Sequence, residues 1–84
     1  MAKYEKKIKE ALLEKYPNAR IKIERSYGSN PIFMVITGAF ENKPEKKRQD
    51  EIWAWLKEKL DFEDIRHIGF ILTMTPEEEK AYAE

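Results

Sequence analysis

His67 is the side chain of this sequence best suited to bind a metal ion. It is the single histidine among 84 residues, and there is no cysteine. A neutral imidazole supplies one metal ligand, so a site built from several imidazoles or thiolates of this chain is excluded. His67, three residues after Asp64, is therefore interpreted either as one ligand of a site that another molecule completes, or as a partly exposed histidine bonded to a carboxylate.

A second candidate is the basic segment at the start of the predicted second helix. It contains Lys43, Lys46, Lys47 and Arg48. Lysines and arginines beside the first N–H groups of a helix attract phosphates, so this segment predicts a nucleic-acid or partner contact; the alternative is a solvated helix start. On a helical wheel Trp55 lies half-exposed on the Arg48 side, where it either contacts a partner or covers the edge of the sheet.

Catalytic chemistry has few candidate residues in this sequence. The two serines, Ser26 and Ser29, lie in or beside a predicted turn, and together with the one histidine they form no recognisable Ser/His/Asp arrangement. The glycines do not have the spacing of a phosphate-binding loop. The acidic run Glu77–Glu79 is interpreted as charge that complements a helix dipole. We therefore expect a protein that is not an enzyme.

Composition narrows the class of protein. Sixteen basic and sixteen acidic side chains give zero net charge, which argues against a protein whose main task is to coat nucleic acid. The length fits one domain, residues 1–84, and no apolar run approaches the roughly 18 residues of a membrane span. Met1–Lys9 is too charged for a signal peptide, so we expect a soluble, cytoplasmic protein. The abundance of Lys and Glu is typical of thermophile or designed surfaces.

The elements that must position these side chains follow from hydrophobic periodicity and turn residues. The predicted order is a helix over 3–16, strands over 19–27 and 32–40, a helix over 45–60, a strand over 65–74 that begins beside His67, and a helix over 76–84 capped by Thr75. The short turn makes the first two strands an antiparallel hairpin, and a helical crossover makes the second and third strands parallel. The fold class is α+β: a two-layer sandwich with helices on one face of a three-stranded mixed sheet whose central strand is the second.

The second half of the chain carries residues that resemble one family. They run from Phe33 through Phe40 to Lys43, then Arg48, Ile52-Trp53 and Leu56–Leu60, and finally His67 and Thr73-Met74-Thr75-Pro76-Glu77-Glu78. This set resembles the BolA-like family, with its pattern F-x-V-x-(I/V)-x-S-x-x-F-x-G-K, then R-H-(R/Q)-x-(I/V)-(Y/W)-x-x-L, then H-A-L-x-(I/L)-x-(T/A)-x-T-P-E-E. The interval from His67 to Pro76 matches position by position, and the resemblance covers roughly residues 3–80.

The resemblance implies a non-catalytic protein with a KH-like (type II) arrangement that lacks the Gly-x-x-Gly nucleic-acid loop. Many BolA-like proteins pair with a monothiol glutaredoxin and share a [2Fe–2S] cluster with it. His67 matches the histidine that supplies one cluster ligand in the family, and the second, Cys or His, comes from the loop between the first two strands. Other members are described as transcriptional regulators that contact DNA through the region matching Lys43–Arg48.

Two departures from the family pattern affect these expectations. Gln49 stands where the family has the histidine of its Arg-His pair, and helical spacing places its amide above Trp53 and Leu56. The hairpin loop Tyr27–Pro31 carries neither Cys nor His. The resemblance therefore implies at most one strong cluster ligand from this chain, His67, with the thiolates supplied by the partner.

Three hypotheses follow from the sequence. The first is a small non-catalytic BolA-like adaptor with no cofactor of its own, which partners a monothiol glutaredoxin in iron–sulfur cluster handling through His67. The second is a nucleic-acid-binding transcriptional regulator that uses Lys43, Lys46, Lys47 and Arg48. The third is a stable fold, from a thermophile or a design campaign, with no retained ligand.

Overall fold

The computed structural model describes residues 3–25, 28 and 30–83 and contains the predicted order of helices and strands, with a short helix in addition. The elements are α1 (Lys3–Lys15), β1 (Arg20–Glu24), β2 (Ile32–Ile36), a 3-10 turn (Gly38–Phe40), α2 (Glu45–Lys59), α3 (Phe62–Ile65), β3 (Phe70–Met74) and α4 (Pro76–Ala83). Within these residues no helix is both long enough and apolar enough to cross a membrane.

The three strands form one mixed sheet in the order β1-β2-β3. β1 runs antiparallel to β2, with Ile21 opposite Val35, and β2 runs parallel to β3, with Met34 opposite Leu72. The predicted hairpin, the parallel crossover and the central position of the second strand are therefore confirmed. The α+β class is confirmed with them.

The main core lies between one face of the sheet and the helices α1 and α2. The alternating residues Phe33 and Val35 of β2 are fully buried, and Ile71 of β3 joins them. They meet the inner faces of the helices, which supply Ile8, Ala11, Leu12, Ile52 and Leu56. This alternation is what a half-buried strand requires, since successive side chains point to opposite faces.

The opposite face of the sheet carries a smaller cluster of buried residues, Met34, Ile36 and Met74. Glu79 of α4 binds both Arg20 and Lys22, whose side chains project from that face of β1. The helix α4 therefore lies over the carboxyl end of this face, whereas α1 and α2 cover the other. The expectation that the helices share one face holds for α1 and α2 and does not extend to α4.

All three strands are shorter than predicted: β1 ends at Glu24 rather than at residue 27, and β2 and β3 are shortened because local turns compete with the sheet. β2 ends at Ile36, because the Thr37 side chain accepts a hydrogen bond from the Ala39 N–H and starts the 3-10 turn. β3 begins at Phe70 rather than at residue 65. The residues before it form α3 and a following turn, in which the His67 N–H donates to the Asp64 carbonyl (3.2 Å).

The start of α4 is held by reciprocal hydrogen bonds between Thr75 and Glu78. The Glu78 N–H donates to the Thr75 hydroxyl (3.1 Å), and the Thr75 N–H donates to the Glu78 carboxylate (2.9 Å). This is a capping box, and it confirms the predicted threonine cap.

Candidate functional site

His67 lies in the turn between α3 and β3, so its predicted position near the start of the third strand is wrong. Its imidazole is half-buried and stacks on the Tyr4 ring of α1, with the ring centroids 3.8 Å apart and the planes 13° apart. Among the described residues none hydrogen-bonds an imidazole nitrogen of His67; the Asp64 carboxylate binds Lys7 instead, at 3.0 Å. The stacking fixes the plane of the ring and leaves its nitrogens available.

The His67 ring lines a shallow depression of about 370 Å³ on the surface. The other lining residues are Lys3, Tyr4, Lys7, Asp61, Glu63 and Asp64. Within the described part of the chain, no group of three His, Asp or Glu side chains is arranged to hold a metal ion. The depression can therefore supply one imidazole ligand, and a metal bound there would need its other ligands from another molecule.

The exit of the β1–β2 hairpin lies against the turn that carries His67. The Gly69 N–H donates to the Pro31 carbonyl (2.9 Å), and the Asn30 side-chain amide donates to the Arg66 carbonyl (3.1 Å). A Cβ at Gly69 would lie 2.6 Å from the Asn30 carbonyl oxygen, so this close approach depends on glycine. Asn30 and Pro31 thus border the turn that carries His67, whereas Ser26, Tyr27 and Ser29 lie outside the described residues.

Arg48 is a structural residue, and its prediction as a nucleic-acid or partner contact is corrected. It is only 7% exposed. Its guanidinium donates to the Lys43 carbonyl (2.7 Å), the Thr73 carbonyl (3.3 Å) and both oxygens of Glu78 (2.7 and 3.1 Å). The hydrogen bond with Glu78 raises the pKa of Arg48. Four of its five N–H donors are thus engaged inside the protein, which leaves at most one for a phosphate.

The three lysines of the basic segment differ in their surroundings. Lys43 forms an ion pair with Glu51 (2.9 Å), and Lys46 forms an exposed pair with Asp50 (2.9 Å). The side chain of Lys47 is exposed. The pairing leaves the segment with far less free positive charge than the sequence suggests.

Trp55 of α2 packs against α1. Its indole N–H donates to the Ala11 carbonyl (2.8 Å). Lys15 of α1 and Lys59 of α2 approach its ring, at 5.3 and 4.7 Å from the centroid. The half-buried position agrees with the helical wheel, but the wheel does not show which neighbouring element the ring meets.

Gln49 links α2 to the outer edge of β3. Its side-chain N–H donates to the Ile71 carbonyl (2.9 Å), and its side-chain oxygen accepts from the Trp53 indole (3.0 Å). The predicted placement above Trp53 is therefore confirmed. The Met74 carbonyl accepts a hydrogen bond from the Thr37 N–H, at the end of β2. Because successive carbonyls of a strand point in opposite directions, the carbonyls of Ile71 and Thr73 face away from β2. Gln49 and Arg48 thus satisfy the outward carbonyls of β3.

Glu5 is a residue near the site that the sequence interpretation missed. It is 1% exposed, and its carboxylate accepts hydrogen bonds from two guanidinium nitrogens of Arg25, just beyond β1. The available signal was its spacing, since Glu5 precedes Ile8 by three residues and Leu12 by seven on the inner face of α1. The contact between Tyr4 and His67 was not predicted either.

Comparison with known proteins identifies the fold. No protein-family profile matches the chain, and no curated protein matches its sequence. Among solved structures, BolA1 from Arabidopsis thaliana is similar, with a TM-score of 0.67 and 19% sequence identity over 93% of this chain and 98% of that chain. An α+β arrangement shared over nearly the whole of both chains shows that this protein has a BolA-like fold.

Proposed function

We propose that this protein is a non-catalytic adaptor that takes part in handling a [2Fe–2S] cluster with a monothiol glutaredoxin, to which it offers His67. The observation that carries the proposal is the state of that side chain. The ring is held by Tyr4, reaches a surface depression, and has nitrogens that no described residue engages. A BolA-like fold is generally non-catalytic, which agrees with an adaptor that binds and does not react.

The ligand chemistry sets how the cluster would be shared. A [2Fe–2S] cluster is held by four protein or small-molecule ligands, commonly thiolates with imidazole as a substitute. This chain has no cysteine and one histidine. It would therefore supply one imidazole, and the thiolates would come from the partner, a division that suits a cluster shared between two proteins better than a metal centre resident in this chain.

The test is a titration of cluster-loaded monothiol glutaredoxin with this protein, followed by visible absorption and circular dichroism. Replacing a thiolate by an imidazole changes the ligand field, so a new visible spectrum is expected with the wild type and none with His67→Ala. Tyr82→Ala, an exposed aromatic on α4, serves as the control and is expected to behave as the wild type. Absence of any change with the wild type, or an equal change with His67→Ala, overturns the proposal.

The nucleic-acid alternative rests on fewer available groups. Arg48 is buried, and Lys43 and Lys46 are paired with carboxylates, which leaves Lys47 as the exposed member of the segment without a described pair. A regulator of this kind requires an affinity that falls steeply with salt, because binding releases counterions. Equal binding by the wild type and the double variant Lys46→Glu, Lys47→Glu would exclude this surface.

A further inference from the structure

We infer that α4 is a latch on the sheet face opposite α1 and α2: charged contacts hold it closed, and salt releases it while the rest of the domain stays folded. The latch covers the second buried cluster, which consists of Met34, Ile36 and Met74. Neither His67 nor a metal takes part, so the latch goes beyond the proposed function and does not depend on it.

The position of α4 over this cluster follows from its two ends. The helix begins directly after β3, and its Glu79 carboxylate binds Arg20 and Lys22 of β1. Since β2 lies between β3 and β1, the helix has to cross β2 to reach them. The β2 residues opposite these two cations are Ile36, which pairs with Arg20, and Met34, which pairs with Lys22. α4 therefore lies over the part of the sheet face that carries the cluster.

Charged groups hold α4 in place, and none of its described side chains, from Pro76 to Tyr82, is a buried apolar anchor. All of them are exposed except that of Glu79, which is half-buried. Besides the pairs of Glu79, the attachment consists of the two hydrogen bonds that Arg48 donates to Glu78. Water reaches both attachments, because the Glu78 side chain is 49% exposed and the cations bound to Glu79 are 58% and 47% exposed.

Contacts of this kind are individually weak, and salt weakens them further. An exposed ion pair favours the closed arrangement by no more than roughly five-fold. Salt at about 1 M reduces the range of charge interactions to about 3 Å. A helix of eight residues is not stable alone in water, so α4 unravels once it is released. The main core between the sheet and α1 and α2 does not use these contacts, so the release is a local opening.

Release of α4 enlarges an apolar surface that is already partly exposed. Alternate residues of β2 and β3 point to this face: Ile32, Met34, Ile36, Phe70, Leu72 and Met74. Phe70, at the end of β3 away from α4, is 55% exposed, whereas Met74 is 8% exposed. The closed latch thus hides the carboxyl-terminal half of one continuous apolar stripe.

The two methionines of the cluster report directly on the opening. Hydrogen peroxide transfers one oxygen atom to the thioether sulfur and is itself reduced to water. Met34 and Met74 are 4% and 8% exposed, so the rate of their oxidation follows the fraction of open molecules. Peptide mass spectrometry measures each rate separately, with free methionine as the reference for the chemistry itself.

The variant Glu79→Gln removes the charge that binds the two β1 cations. We expect oxidation of both methionines to become roughly two- to five-fold faster in this variant. Raising the salt from about 0.05 to about 1 M should accelerate oxidation of the wild type by a similar factor and that of Glu79→Gln by less. The double variant Arg20→Glu, Lys22→Glu should behave as Glu79→Gln, and adding Glu79→Lys to it should restore slow oxidation, because the ion pairs re-form with reversed charges.

The matched control is Glu77→Gln, which removes an exposed carboxylate of the same helix that has no ion-pair partner among the described residues. It is expected to keep the wild-type rates. Hydrogen exchange of the backbone amides of β2, the central strand, measures opening of the whole domain and is expected to stay unchanged in Glu79→Gln.

Four results would overturn the latch. They are oxidation rates in Glu79→Gln that equal those of the wild type, an equal acceleration in Glu77→Gln, acceleration at only one of the two methionines, and an acceleration that the β2 amides share. The last result would mean that the methionines become accessible only when the whole domain unfolds.

Discussion

The bond between Arg48 and Glu78 gives the most direct test of how α4 is attached. In Glu78→Gln the guanidinium keeps its carbonyl acceptors, on Lys43 and Thr73, but loses the charge it faces. Hydrogen bonds to charged groups contribute about 1.5–3 kcal/mol each. The Glu78 side chain is 49% exposed and screened by water, so we expect the variant to lose about 1–2 kcal/mol of unfolding free energy in all.

The pH dependence of this loss has a definite sign. The hydrogen bond from Arg48, followed by that from the Thr75 N–H, lowers the pKa of Glu78 from 4.5 to about 2. A carboxyl whose pKa is lower in the folded state stabilises the fold above its unfolded pKa, and this stabilisation is lost as the pH falls through the folded pKa. The difference between wild type and Glu78→Gln should therefore be nearly constant from pH 7 to about 5, decline below 4.5, and disappear only as the pH falls below about 2.

Urea unfolding followed by circular dichroism measures this difference at each pH. The slope of the unfolding free energy against urea concentration should be the same for both proteins, as expected when unfolding stays two-state. Glu77→Gln is the matched control, since Glu77 is exposed in the same first turn of α4. The reasoning is refuted by a loss at pH 7 below about 0.5 kcal/mol, by an equal loss in Glu77→Gln, or by a difference that does not change between pH 5 and 2.

Three further predictions concern the core, the outer edge of β3 and the turn that carries His67. Burial and then the hydrogen bond to Glu51 raise the pKa of Tyr16, so the wild type should lose stability as the pH rises above 10.0; Tyr16→Phe should flatten that loss in urea unfolding between pH 8 and 11. Gln49→Leu leaves the Ile71 carbonyl and the Trp53 indole without their partner and should cost about 1–2 kcal/mol, whereas Gln49→His, which can donate and accept, should cost less in the same assay. Gly69→Ala pushes a methyl group against the Asn30 carbonyl and should cost about 1–3 kcal/mol by thermal unfolding; Gly38→Ala, which meets open space, should change stability little.

The parts of the fold that follow from local pattern were predictable. Alternation in β1 and β2, the helical stripe of α2 and the Thr75 cap each depend on residues close in sequence. The third strand was predicted five residues too long at its start because the apolar residues Ile65 and Ile68 resemble a strand, whereas hydrogen bonds from Asp61 onward fold them into α3 and a turn. Periodicity does not separate these outcomes in so short a segment.

The candidate site was predictable only in part, because its contacts are long-range. His67 was found by residue type, but its partner Tyr4 lies at the other end of the chain. Arg48 looked like a member of a basic surface because its acceptors, Thr73 and Glu78, are 25 and 30 residues away. A charge run in a sequence does not show which of its members a later helix will bury.

The side chains that satisfy the outer carbonyls of β3 also limit how the sheet can grow. A strand from a second molecule that paired with β3 would have to displace Gln49 from Ile71 and Arg48 from Thr73, and the second displacement would also break the ion pair with Glu78. The opposite edge, β1, carries Lys22 at its centre, a charge that opposes pairing between copies. A three-stranded sheet, which leaves a large share of its strands at an edge, is thereby protected against aggregation into longer sheets.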